Sequence, residues 1–189
     1  MGSREEAISL YLLSVHEDGI PKSLYDTLTD VQKTMVEESG GTRPGMRGAG
    51  GGVIYTLQPD VRSLFAVALT GGVFDIIHPG HVHTLMEAKK EADVLVVVVA
   101  TDETVRTKKG REPLHSQDER AELVNSLKPV DLAIVGVSDW KQTLKRVSPD
   151  IVVFGYDQTL MDIPGVRTRQ LATQVPNAKT SAVRDKLGL

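Results

Sequence analysis

Four short runs of this chain are apolar almost without interruption: LFAVALT (64–70), DVLVVVVA (93–100), VDLAIVG (130–136) and DIVVFG (150–155). They are rich in β-branched residues and lack a period-two alternation, the pattern of strands covered on both faces. Between them, apolar positions recur at helical spacing over 81–91, 117–127 and 140–147. Alternating strand and helix predict an α/β fold, a doubly wound parallel sheet with right-handed crossovers, over residues 61–189. Ligands of such a sheet sit beyond the carboxyl ends of the strands, where strand order reverses. The loops to inspect are therefore 70–80, 101–111, 136–139 and 155–162.

Residues 1–60 have a different character. Ile8, Leu12 and Val15 carry a helical repeat over 5–16, which Gly19 and Pro21 bring to an end. A second helix is predicted over 22–28, and a third from Thr29 or Asp30 as N-cap to Gly40 and Gly41. GTRPGMRGAGGG (41–52) holds too much glycine for regular structure, and VIYTL (53–57) alternates like a strand. This order predicts a small, mainly helical, winged-helix-like module. Five basic residues against nine acidic ones give it a net charge of −4, the wrong sign for a surface that tracks phosphates. Nucleic acid is thus a poor partner for it, and a packing role or a homodimer contact fits better.

Composition removes further options. The net charge of −3 exerts no general pull toward nucleic acid or an acidic membrane. With no cysteine, disulfides, thiolate nucleophiles and thiolate metal sites are excluded. The longest apolar run, 94–100, is too short to span a bilayer, and Arg4, Glu5 and Glu6 stand where a signal peptide needs its apolar centre. The chain reads as soluble and cytoplasmic, with no membrane partner.

The first of the four loops, GGVFDIIHPGHVHTL (71–85), carries the most chemistry. Gly71 and Gly72 let backbone approach a ligand, and Pro79 with Gly80 turns the chain into a helix whose first N–H groups are free. That arrangement attracts an anion, most often a phosphate. His78 and His81 flank the turn and can aim ring nitrogens at the same group. As isolated residues they would read as surface histidines at a helix start; the coincidence of strand, glycines and helix favours the phosphate. A zinc site is the third option, but His78, His81 and His83 have only Asp75 nearby to complete a ligand set. His83 is expected to face solvent.

Gly72-Val73-Phe74-Asp75 followed by His78-Pro79-Gly80-His81 resembles the G-x-F-D-x-x-H-x-G-H signature of the cytidylyltransferase-like nucleotidyltransferases, a likeness that covers residues 64–189. The resemblance implies a Rossmann-like nucleotidyltransferase fold. It implies that Gly72, Val73, Phe74, His78, Pro79, Gly80, His81 and Asp102 bind nucleotide, with His78, His81, Lys108 and Arg120 in catalytic roles. Arg106, Lys108, Lys109, Arg111 and Arg120 are the candidates for holding phosphates, against the plainer reading of a solvated basic loop. Lys179-Thr180-Ser181-Ala182-Val183-Arg184 resembles the family's helix start that closes on the β- and γ-phosphates through Thr180 and Ser181.

Gly155-Tyr156-Asp157-Gln158 resembles the G-x-D-Q of the archaeal FAD synthase group. The implied reaction is transfer of AMP from ATP to FMN, with Asp157 facing base and ribose and a divalent cation, Mg2+, bridging triphosphate oxygens rather than sitting in a protein cage. No metal-ligating residues are assigned. The chain departs from the group in having Val73 for the usual threonine, a short cysteine-free C-terminal region and the added N-terminal module. Because every motif lies beyond Thr70, that module is expected to be dispensable for the chemistry. A cytidylyltransferase for glycerol phosphate or a related phospho-polyol, and a nucleotide-binding regulator without turnover, remain the alternatives.

Overall fold

A computed structural model describes residues 3–39 and 53–172. Contacts divide the chain into two units, Met1–Phe65 and Ala66–Leu189.

In the first unit, α1 (Arg4–His16) opens on a capping box in which Ser3 and Glu6 satisfy each other's backbone N–H groups. It buries Ala7, Leu10, Tyr11 and Val15, and Tyr11 meets Phe65 edge to face at 5.3 Å. The buried face is thus rotated from the Ile8, Leu12, Val15 line that periodicity indicated. The helix is apolar on several sides, so its sequence does not select one stripe. After β1 (Ile20–Pro21) come α2 (Lys22–Tyr25) and α3 (Asp30–Lys33), both shorter than expected. The predicted continuation of α3 toward Gly40 is instead β2 (Val36–Ser39), paired antiparallel with β3 (Ile54–Leu57). Cross-strand pairing outweighs the helical reading of that stretch. β1 lines the other side of β3, and α4 (Pro59–Arg62) ends the unit.

The second unit holds a five-stranded parallel sheet in the order β6-β5-β4-β7-β8. Its strands are β4 (Val67–Gly72), β5 (Val94–Val99), β6 (Leu132–Val135), β7 (Ile151–Phe154) and β8 (Arg167–Gln170). Starting from β4 the chain winds outward to β5 and β6, then returns to the other side of β4 with β7 and β8. The predicted doubly wound sheet is the one observed. Helices α5 (Pro79–Lys89), α6 (Asp102–Lys109), α7 (Gln117–Asn125) and α8 (Trp140–Val147) provide the crossovers. Leu85 and Ala88 of α5 and Val124 of α7 pack on Leu95, Val97 and Val99 of β5. An aspartate at the start of three strands ties the sheet's lower edge: Asp93 accepts from Ala66 N–H, Asp131 from Leu95 N–H and Asp150 from Val67 N–H.

In the second unit, sequence reading misses two elements. α6 was read as a loop because Val105 is its single buried side chain; Thr101 caps it and Gly110, at φ 64°, closes it. β8 is polar and largely exposed at the sheet edge, so no apolar run marks it. Among the described residues no helix is long and apolar enough to cross a membrane.

Candidate functional site

Strand order reverses between β4 and β7, so the crevice expected of this topology lies at their carboxyl ends. The two strands pair only at Ala68 with Ile151 and Leu69 with Val152, and beyond that the ladder stops. Side chains bridge the gap. Thr70 Oγ1 donates to the Val153 carbonyl at 2.8 Å, and Gln158 donates through Nε2 to the Gly71 carbonyl at 2.9 Å while its Oε1 accepts from Gly155 N–H at 2.7 Å. The last residue of the G-x-D-Q run therefore fixes the distance between the two loops that face each other across the crevice.

The turn after β4 is shaped by one buried ring. Phe74 has φ 55°, a left-handed conformation that is costly for an aromatic residue and accumulates at functional sites. Its side chain folds back so closely that a Cβ on Gly72 would lie 3.0 Å from it, which explains the glycine without any demand on its φ. Gly71 is equally constrained, since a Cβ there would stand 3.1 Å from the Val98 carbonyl. The Phe74 ring also supports His81, at a centroid distance of 4.9 Å.

His78 is the N-cap of α5, and its Nδ1 accepts from the His81 N–H at 3.4 Å. That hydrogen bond leaves the proton on Nε2, so His78 presents a ring N–H donor. The two imidazoles stack at 3.8 Å and 17°. Burial lowers the pKa of His78, with the charge of Asp157 acting the other way. Burial also drives His81 down to about 4, helped by His78 and opposed by the Ile76 carbonyl and Asp157. Both rings are therefore neutral near pH 7, donors of fixed direction rather than cations. The unfolded chain takes up a proton on His81 near 6.5 and the folded chain only near 4. Its contribution to stability is complete above the first value and lost as the pH falls through the interval. Thermal melts across this window are expected to show that decline, and His81→Asn should flatten it; an unchanged slope in the variant would contradict the assignment.

The other proposed site residues separate into groups. Asp157 is exposed on the loop after β7 and close enough for its charge to act on both histidines. Gly72, Val73, Phe74, Pro79 and Gly80 form the turn itself. Among the five basic candidates, Arg106 pairs with Glu112, Arg111 with Asp75 and Arg120 with Asp102. Lys108 and Lys109, exposed on the last turn of α6, have no partner among the described residues. Arg120, a phosphate-holding candidate, is engaged with protein groups. The side chain is wholly buried, donating to the His115 carbonyl, the Val73 carbonyl and Asp102 Oδ1. Thr180 and Ser181 lie outside the described residues. His83 is half-buried rather than solvent-facing.

The sequence offers Asp75 as part of the G-x-F-D signature and as a neighbour of the histidines in a metal set, and the structure gives it a different task. Its fully buried carboxylate accepts from Arg111 Nη1 at 2.6 Å, Leu114 N–H at 2.6 Å and His115 N–H at 3.3 Å. Those bonds hold the 111–115 loop against the turn that carries the histidines. The signal available beforehand was a carboxylate inside an otherwise apolar turn.

A strand, a glycine-bearing turn and two neutral histidines stacked at a helix start thus come together at the carboxyl end of β4. Residues 69–181 match the family described as Cytidylyltransferase-like. The chain belongs to that family. Within it, similar proteins include an FAD synthase of Thermoplasma acidophilum, 54% identical over 88 residues, which are 46% of this chain and 61% of that protein. FAD synthases of Thermococcus sibiricus and Thermococcus kodakarensis are 48% and 47% identical over 92 residues, 48% of this chain and 62% of each of theirs. The match thus spans about six tenths of these curated relatives. A crystal structure titled as the lipopolysaccharide core biosynthesis protein of Thermoplasma volcanium superposes with a TM-score of 0.55 at 37% identity, covering 59% of this chain and 99% of that one. The H-x-G-H segment that resembles the family signature forms the N-cap and first turn of α5.

Proposed function

We propose that the second unit transfers AMP from ATP to FMN, yielding FAD and pyrophosphate. The observation that carries this reading is the stacked His78 and His81 pair at the switch point, in a chain about half identical over some ninety residues to three FAD synthases. An FMN phosphate oxygen attacks the α-phosphorus in line. The new P–O bond forms as the bond to the β-phosphate breaks, and the electron pair leaves on pyrophosphate. No covalent enzyme intermediate is needed, so the protein's contribution is positioning and charge stabilisation. His78 through its Nε2–H, with the neutral His81 stacked on it, donates to the α-phosphate oxygens as charge accumulates there. Lys108 and Lys109, without a partner among the described residues, would hold the triphosphate tail, and Thr180 and Ser181 would close on it. Among the described residues no group of three histidines and carboxylates converges as a metal would require. Mg2+ would enter with the nucleotide as part of the substrate.

The test is pyrophosphate release with each nucleoside triphosphate against a panel of phosphorylated acceptors that includes FMN. Turnover confined to ATP and FMN is the expected result; turnover confined to CTP and glycerol phosphate would replace the reading. Asp157 is placed on the nucleotide side of the crevice. Asp157→Ala is expected to raise the KM for ATP more than it lowers kcat, the mark of lost ground-state binding. A changed FMN affinity with an unchanged KM for ATP would move Asp157 to the acceptor side.

A further inference from the structure

A wholly buried arginine is costly unless every donor is used, and Arg120 uses its donors on three separate segments. Nε reaches the His115 carbonyl at 3.0 Å, Nη2 the Asp102 carboxylate at the start of α6 at 2.5 Å, and Nη1 the Val73 carbonyl at 2.6 Å. The last contact fixes more than a loop. In a trans peptide the C=O and the following N–H point in opposite directions, and no described peptide is cis. With the Val73 carbonyl drawn onto the guanidinium, the Phe74 N–H is aimed away from the buried interior. That N–H has no acceptor among the described residues, and the left-handed φ of Phe74 is part of the same turn geometry.

We propose that Arg120 is a positioning residue that locks the Val73–Phe74 peptide with its N–H outward, making a backbone donor for a phosphate oxygen in the crevice. The buried charge is retained for its planar fork, which a lysine cannot reproduce. Asp102, with its side chain partly exposed, holds the guanidinium from the opposite end. The inference depends on the nucleotidyl-transfer reading only for its kinetic readout.

The experiment uses the full chain, isotope-labelled, with pyrophosphate as the probe. In the wild type, saturation with pyrophosphate is expected to shift the Phe74 amide proton downfield. In Arg120→Lys that response is expected to be lost and kcat to fall about 10²-fold, the typical cost of one such donor, with the KM for the acceptor nearly unchanged. Asp102→Asn, which leaves Arg120 in place, should reduce kcat about tenfold and weaken the amide response, and it serves if the lysine variant does not fold. A wild-type Phe74 amide unmoved by saturating pyrophosphate would overturn the proposal, as would a folded Arg120→Lys variant with near-wild-type kcat. Pyrophosphate binding needs no acceptor. A silent amide in an enzyme that makes FAD therefore refutes only this inference, whereas a responsive amide in an enzyme that ignores FMN refutes only the substrate assignment.

Discussion

Replacing His78 or His81 with alanine is expected to lower kcat by roughly 10²- to 10³-fold each, with little change in ATP binding. Each ring is neutral, and the two are stacked at 3.8 Å beside the start of α5. Such donors interact most strongly with the group that gains negative charge, so their effect falls on the transition state rather than on the bound substrate. Because both act on a single charge and touch each other, the double variant should lose less than the product of the single losses. His83→Ala, on the same helix but outside the pair, should be close to silent. Steady-state kinetics at saturating ATP decides the matter: near-wild-type kcat in either single variant, or activity that depends on added zinc, would remove the phosphate clamp.

The second large effect concerns stability. Asp75→Ala would leave Arg111 and two backbone N–H groups without the carboxylate that joins them, and breaking a buried ion pair from one side typically costs about 3–5 kcal/mol. For a chain of this size that corresponds to a fall in Tm on the order of 10 °C. Asp75→Asn keeps an acceptor oxygen but loses the charge, and should lie between. Burial alone would raise the Asp75 pKa, yet Arg111 and the Leu114 and His115 N–H groups outweigh it and hold the carboxyl below 3.8. Its stabilisation is therefore present above that value and lost as the pH falls through the lower folded-state pKa. A melting curve for Asp75→Ala that overlays the wild type would show that the 111–115 loop is held by other contacts.

Much of this was legible before any coordinates. Buried parallel strands announce themselves by unbroken β-branched runs: β5, β6 and β7 fall inside three of the four, and β4 begins in the first and continues two residues past it to Gly72. β8 falls inside none, because an edge strand such as RTRQ can be polar on both faces and needs only a neighbour's backbone to form. The histidine pair was visible because residue types and spacing encode it directly. The surroundings of Arg120 were hidden for a physical reason: an arginine near a nucleotide motif offers its charge to sequence reading, whereas two of its partners, the carbonyls of Val73 and His115, belong to backbone that any residue would supply. Asp75 and Gln158 escaped in the same way. Asp75 accepts from the main chain of Leu114 and His115, 39 and 40 residues away, and Gln158 donates to the Gly71 carbonyl 87 residues away; only the fold brings those groups within reach.

The early end of the β4 and β7 ladder bears on motion. Below Leu69 and Val152 the central strands are held by main-chain bonds within a buried sheet, which open only at free energies near that of global unfolding. Above that level the side-chain hydrogen bonds across the gap among the described residues come from the Thr70 hydroxyl and the Gln158 carboxamide, so these can be lost without disrupting the ladder beneath. Local opening at the rim is therefore expected on a faster timescale than any opening of the sheet, and amide exchange at Gly155 should be faster than at Val96 and Val97.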